Sequence, residues 1–349
     1  MTLPAYMSGV LLTGHGGPEA LQWSDRIPVP KPGPGEVLVQ VLAAGVNATD
    51  INTRKGWYAK ADNPEAGGWA GVIHFPRIQG SDLCGRVVAL GEGVSEPRLG
   101  ARVVCPTNQA EPTADNPMAF RAIGSEYDGA FAEFCVVPAE HLYDVSASVL
   151  TDIEIGAMPC AYGTAHNLLS RSGVKAGEKV LVTGASGGVG MAAVQLARLR
   201  GARVTGQCSA DKAAAVLKAG AMETLARDAD PQTKTFDVVI DVIGGPGWNK
   251  RLEALRPGGR YAVSGAIAGP MVEGDLRTVY LNDLTLFGCT NQPREVFSGL
   301  VTIINTGKLR PLVSKVYPLS DIAKAQADLA AGTYPGKLVL VPGAGGHDD

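Results

Sequence analysis

The sequence predicts an α/β protein of two domains, a β-rich, barrel-like unit followed by a doubly wound parallel sheet. Three observations lead there. The 349-residue chain is too long for one ordinary core. Its first 150 or so residues break into short, turn-bounded strands with no long helical period. From about residue 151, apolar strands alternate with helices, the pattern of a parallel sheet covered on both faces.

The elements follow in order. Gly35–Val41 comes after a Pro-Gly-Pro-Gly breaker and alternates apolar with polar residues, as a half-buried strand does. Arg86–Leu90, Arg102–Cys105 and Phe131–Val137 are further short strands. Ile153–Leu169 carries apolar residues at helical spacing and ends at Arg171-Ser172-Gly173. Three strand–helix pairs come next: Val180–Val182 with Val189–Arg200, Arg203–Thr205 with Lys212–Lys218, and Asp237–Ile240 with Trp248–Leu255. Arg260–Val263 and Leu284–Phe287 continue the sheet. Val313–Pro318, a helix over Asp321–Leu329 and the strand Lys337–Leu340 read as a return to the first domain. The expected division is 1–150 with 310–349, against 151–309, and the tail Gly343–Asp349 is expected to fray.

Apolar residues make up 45% and charged residues 19%, a globular balance and not that of a disordered chain. A net charge of −3 gives no basic face for nucleic acid or anionic lipid. Cys84, Cys105, Cys135, Cys160, Cys208 and Cys289 are widely spaced and read as free thiols in a reducing compartment. No secretory pattern opens the chain and no apolar run is long enough to span a membrane, so a soluble, cytoplasmic protein is expected. His15, His74, His141 and His347 form no constellation and read as surface or loop residues. Cys160, with only His166 near it in sequence, reads as a buried thiol and not a nucleophile.

The run Val180–Gly190 joins a strand, a glycine turn and a helix start. A helix N-terminus offers unpaired N–H groups and positive dipole to a pyrophosphate, and glycine lets the backbone approach it. The spacing is that of G-x-G-x-x-G with Ala185 in the first position and Gly187 and Gly190 in place. Gly184, Ala185, Ser186, Gly187, Gly188, Val189 and Gly190 are therefore the candidate dinucleotide cradle of a Rossmann sheet. Gln207 stands where NAD-specific sites carry an acid, while Ser209 and Lys212 can bond a 2′-phosphate, so NADPH is expected over NADH.

The ordered set Gly35–Val39, Gly45–Asp50, Ile78–Val87, Gly129–Phe134, Ala185–Gly190, Asp241–Gly245 and Gly336–Leu340 resembles the medium-chain dehydrogenase/reductase superfamily, in its zinc-free, quinone oxidoreductase-like branch. The resemblance implies a GroES-like barrel domain beside the Rossmann domain, with nicotinamide and substrate in a cleft. At the positions where zinc members carry ligands stand Asn47, Ser81 and Cys160, too few donors for the metal, and no cysteine lies between Cys105 and Cys135 for a structural zinc. Without that Lewis acid, hydride transfer to an acceptor already activated by conjugation is the expected reaction. The acceptor is then a small electrophile: a quinone, an enone or an enoyl thioester.

The resemblance places Asn47, Asp50, Ser81 and Thr164 in the cleft, adds Gly265 and Lys337 to the cofactor contacts, and makes a homodimer through a strand like Leu284–Cys289 the expected assembly. Asn52 replaces a tyrosine common in relatives, with Tyr162 or Tyr58 as substitutes. Trp57–Trp69 is longer than usual and suits a lid with a Gly67-Gly68 hinge, or a dimer contact, while Asn108–Tyr127 fills the place of the zinc lobe. Competing readings are a zinc alcohol dehydrogenase and a non-catalytic NADPH-binding protein of the crystallin or RNA-binding kind.

Overall fold

The computed structural model describes residues 3–59 and 67–343. The chain divides into two compact units, 1–160 with 297–349, and 161–296.

In the first unit a central strand, Glu36–Gly45, carries three antiparallel neighbours: Cys84–Leu90, Phe134–Pro138 and Lys337–Val341. Arg102–Val104 and Tyr143–Asp144 extend the sheet on one side, and Val313–Pro318 extends it on the other, parallel to Lys337–Val341. A second sheet of Leu21–Pro28, Tyr6–Leu12 and Arg77–Ile78 lies against Phe131–Glu133. The contact is close: a Cβ on Gly9 would stand 2.8 Å from that of Ala132. Val37, Val39, Leu83, Val87, Val103, Phe131 and Leu338 fill the core between these elements.

The second unit is a six-stranded parallel sheet ordered Glu223–Ala226, Arg203–Cys208, Lys179–Val182, Phe236–Asp241, Leu255–Val263, Thr285–Gly288. Numbered within the unit this is 3-2-1-4-5-6, the doubly wound order that reverses beside its first strand. Val180, Leu181 and Val182, with Val238, Val239 and Ile240, are fully buried, as strands covered on both faces must be.

Three sequence expectations change. Residues 151–160 and 297–309 pack with the first unit, because Asp82 accepts the amide of Cys160 at 2.6 Å, Ser148 Oγ donates to Ile304 O at 2.7 Å, and Phe297 packs on the ring of Tyr143. The expected helix Ile153–Leu169 is two helices, Asp152–Gly156 and Pro159–Arg171, the second entered through Pro159, which lacks the N–H to continue the first. His141 is buried, not superficial. The hairpin Tyr6–Pro28 and the helix Arg294–Thr306 were not among the elements expected, although Phe297, Leu300, Val301 and Ile304 stand at helical spacing and form the helix's buried face.

Candidate functional site

Two sets of residues gather, one in each unit. In the first, Gly45-Val46-Asn47 leaves the central strand and Asn47 caps the helix Ala48–Arg54 in a capping box with Asp50. The Asn47 amide N–H donates to Asp50 Oδ2 at 2.8 Å, and the Ser81 amide reaches Asp50 Oδ1 at 3.3 Å. The Asn47 side chain points inward, its Nδ2 donating to Asp82 Oδ2 at 2.8 Å and to Ser81 Oγ at 3.2 Å. Lys337 completes the cluster: its ammonium donates to Asn47 Oδ1 at 2.5 Å, Asp82 Oδ2 at 2.9 Å and Val46 O at 3.1 Å. Gly45 is required here, because a Cβ would fall on the Asp82 carboxylate.

Asn47, Asp50 and Ser81 are thus brought together as the sequence suggested. Asp82, which no sequence argument singled out, is the hub that joins them, and its signal was only its place between Ser81 and the core residue Leu83. Burial pushes the Asp50 carboxyl up to about 7, against the opposing pull of the Asn47 amide, and the like charge of Asp82 adds to the rise. Burial likewise raises the Cys160 thiol to about 12, so it stays protonated and is no nucleophile.

Lys337 is corrected from the cofactor contacts. All three of its ammonium hydrogens have acceptors inside the first unit. Tyr162 is corrected from the catalytic set: it is fully buried and its hydroxyl donates to Gln195 Oε1, so it is a packing residue. Tyr58 instead faces this region, its hydroxyl 3.0 Å from Thr49 Oγ1 and its ring stacked on Trp69.

Of the expected lid, 60–66 lie outside the described residues. At the expected Gly67-Gly68 hinge, a Cβ on Gly67 would meet the His15 ring and one on Gly68 would meet Glu126 and Gly71, while Trp69 N donates to Ser125 Oγ. The segment Asn108–Tyr127 is a hairpin, Asn108–Ala110 with Phe120–Ala122, buttressed by Tyr127 OH on Gln109 Oε1. The frayed tail expected over Gly343–Asp349 lies outside the described residues from 344 on.

In the second unit the glycine turn sits at the C-terminal edge of Lys179–Val182. Gly184 has φ +56°, and Gly190 lies so close to Gly184 O and Ala185 Cα that a Cβ has no room. Gly187 differs: it is exposed, and a Cβ would meet only Gly184 O, at 3.5 Å. It is the N-cap of the helix Gly188–Leu199, and no side chain caps that end. Its first amides therefore face outward with the positive dipole, a cradle of the right chemistry for a pyrophosphate. Ala185 occupies the first glycine position because its φ is not positive and its methyl fills the space left by Gly206.

Asp241, at the end of the neighbouring strand, braces the turn. It accepts Thr183 Oγ1 at 2.6 Å, Tyr261 OH at 2.5 Å and Ile243 N at 2.8 Å, and pairs with Arg251 at 3.4 Å. Gly265 follows the next strand with φ +145°, and a Cβ there would stand 3.0 Å from Val242 O. Thr164 is half-buried on the helix Pro159–Arg171. Ser209 caps the short 3-10 turn Ala210–Lys212 that follows Arg203–Cys208. Gln207 does not face a ligand: its Nε2 donates to the carbonyls of Ala226, Arg227 and Ala229.

Comparison with known proteins agrees with this architecture. Residues 33–147 match the alcohol dehydrogenase GroES-like domain and residues 212–340 match the zinc-binding dehydrogenase domain. Acryloyl-coenzyme A reductase of Metallosphaera sedula is 29% identical over 96% of this chain and 99% of its own. Quinone oxidoreductase of Lama guanicoe is 30% identical over 96% of this chain and 97% of its own. The crystal structure of a putative alcohol dehydrogenase from Sinorhizobium meliloti superposes with a TM-score of 0.90 at 44% identity, covering 97% of this chain and 98% of that one.

The zinc in one of those domain names does not fit the residues present. The Asn47 carbonyl faces an ammonium and its nitrogen is a donor, so neither end can ligate a cation without breaking the cluster. Lys337 already neutralises Asp82. Among the described residues no three His, Cys, Asp or Glu side chains are grouped to hold a metal ion. No described helix is long and apolar enough to cross a membrane.

Proposed function

Since the chain belongs to the medium-chain dehydrogenase/reductase family and is an oxidoreductase, we propose that it is a zinc-independent, NADPH-dependent reductase of quinones or of double bonds conjugated to a carbonyl. The observation that carries this reading is the uncapped, Cβ-free helix start at Gly187, a site whose chemistry fits a dinucleotide pyrophosphate. Gly184–Gly190 would hold that group, with Gly265 and Thr164 along the rest of the cofactor. The cofactor, when bound, supplies the hydride.

The chain's own residues then orient the acceptor and handle the proton. Ser81 Oγ accepts from Asn47, so its hydroxyl proton remains to be donated to a developing enolate oxygen. Lys337 and Asp82 fix the Asn47 side chain and thereby the Ser81 hydroxyl. Asp50, raised toward neutral pH, holds the helix start that carries Thr49 and the Tyr58 partner. A homodimer belongs to the same reading. Thr285–Gly288 is an edge strand, flanked by Leu276, Tyr280 and Leu281 at 63–77% exposure.

The test is NADPH oxidation by chelator-treated protein over a panel of quinones, enones and enoyl-CoA esters. Turnover of at least one class, unchanged by added zinc, is expected. Inactivity on all of them, with zinc-dependent oxidation of a simple alcohol, would favour the zinc alcohol dehydrogenase reading suggested by the domain name. Tight NADPH binding without turnover on any acceptor would favour a binding protein.

A further inference from the structure

Two carboxyl groups and one ammonium are buried around Asn47, and that count decides where a proton sits. Asp50 and Asp82 are 3% and 0% exposed, and Lys337 is 3% exposed. Lys337 lies on Asp82 at 2.9 Å and spends its other hydrogens on Asn47 Oδ1 and Val46 O. Asp50 has no such cation among the described residues: its oxygens take the amides of Asn47 and Ser81 and the Ser81 hydroxyl. A second buried anion without a partner costs more than binding a proton. Burial is accordingly the largest push on Asp50, upward to about 7; the Asn47 amide opposes it, Asp82 adds to it, and Ser81 and Lys337 oppose it.

The hydrogen bonds of Ser81 complete the accounting. A serine oxygen accepts two hydrogen bonds and donates one. Lysine only donates, so Lys337 fixes the Asn47 carboxamide with Oδ1 toward the ammonium and Nδ2 toward Ser81 Oγ. One lone pair of Oγ is therefore always taken. While Asp50 is ionised, its carboxylate captures the Ser81 hydroxyl proton. Once Asp50 is protonated the bond reverses. The acid then donates to the second lone pair of Oγ, and the Ser81 proton is left for an outside acceptor.

Resting on the reductase reading above, we propose that Asp50 and Ser81 form a proton relay: Ser81 Oγ is the acid that touches the acceptor, and Asp50 is the positioning residue that turns the Ser81 hydroxyl outward and replaces its proton. The step balances. The hydride that NADPH loses reduces the acceptor carbon, and an electron pair moves onto the conjugated oxygen. That oxygen takes the Ser81 proton, the Oγ–H bond breaks, and Oγ takes the proton of Asp50. Asp50 is left as a carboxylate, and water returns a proton before the next turnover. The other ionisable groups facing Asp50 do not compete. Asp82 is held by Lys337, burial keeps the Cys160 thiol at about 12, and burial also raises the Tyr58 hydroxyl above its ordinary value.

The first test uses the ligand-free full chain. Infrared titration of wild type should show a protonated carboxyl band that disappears as pH rises through about 7 and is missing from Asp50→Asn. Ser81→Ala removes a hydrogen bond to the carboxylate and should move that midpoint upward. No such band in wild type, or a midpoint that Ser81→Ala leaves in place, would overturn the relay.

The second test reads kcat at saturating NADPH and acceptor from about pH 5 to about pH 9, with a melt of each variant to show that it is folded. Wild type should slow as pH rises above the midpoint, about tenfold per pH unit. Ser81→Ala should lose about 100-fold and Asp50→Asn about tenfold below the midpoint, both with flat profiles. The double variant should be no slower than Ser81→Ala, because Asp50 acts through Ser81. Asp50→Asn at the full rate, a wild-type fall that survives in it, or additive losses in the double variant would overturn the relay and leave the reductase reading standing. A wild type that turns over no acceptor would overturn that reading and the relay with it, whatever the ligand-free titration gives.

Discussion

Lys337 and Asp82 face each other at 2.9 Å with almost no exposure, and each has neutral partners besides. Such a pair adds little when whole, but breaking it strands a charge in the core. Lys337→Met should therefore destabilise the first unit by about 3–5 kcal/mol in urea unfolding, and adding Asp82→Asn should recover part of that loss. Asp50 makes a second prediction, through pH. Folding raises its pKa from 3.8 to about 7, so between those values the folded chain keeps a proton that the unfolded chain has lost. Stability must fall across that window as pH rises, and the group contributes no slope below it. Asp50→Asn, with nothing to titrate, should flatten the fall in melting temperature between pH 4 and pH 7; an unchanged slope would show that another group is responsible. The individual roles were only partly legible in the sequence. Asn47, Asp50 and Ser81 were visible because they stand in recognisable short runs. Lys337 was assigned to the wrong partner because the direction of a flexible four-carbon stem is set by acceptors nearly three hundred residues away. Tyr162 was misread because helical spacing does not say whether a hydroxyl finds its partner inside, as this one does at Gln195.

At the level of elements, the strand–turn–helix from Lys179 to Leu199 was the most legible part of the chain, since glycine spacing and apolar runs report backbone needs directly. Even the departure at Ala185 has a backbone reason, as the methyl occupies the gap above Gly206. The glycines are consequently not equivalent. Gly190→Ala must push against Gly184 and Ala185 backbone and should cost about 1–3 kcal/mol by overpacking. Ala185→Gly loses a methyl contact and gains unfolded-state freedom, for about 0.4–1 kcal/mol. Thermal melts of the two variants should rank in that order; the reverse order would mean that the turn is not packed as described. The turn Ala226–Ala229 had no sequence signature at all. Its character comes from one glutamine on the neighbouring strand, a contact that spacing along the chain cannot reveal.

For the molecule as a whole, the sequence conveyed two units and their sheet types, because strand–helix alternation stops where the β-rich pattern resumes. It placed the divisions at 150 and 309, while the contacts place them at 160 and 296. The displaced residues are those tied down by Asp82, Ile304 and Phe297, interactions that depend on the folded arrangement. Both units use the same physical device, polar groups fixed from behind by buried partners: Asn47 by Lys337 and Asp82, and the glycine turn by Thr183 and Asp241. A dinucleotide that binds only the folded chain must also stabilise it in proportion to its affinity.

The decisive measurement is a calorimetric titration of NADPH and of NADH into wild type and Gly187→Ala, with a ligand-free melt of each. A Cβ at Gly187 would meet only Gly184 O, at an ordinary contact distance of 3.5 Å, so the two melts should coincide. Wild type should bind NADPH more tightly than NADH, and Gly187→Ala should bind NADPH at least about tenfold more weakly, because the methyl enters the space the pyrophosphate needs. Equal NADPH affinity in the two proteins, with both folded, would contradict the placement of the cofactor on the Gly184–Gly190 turn.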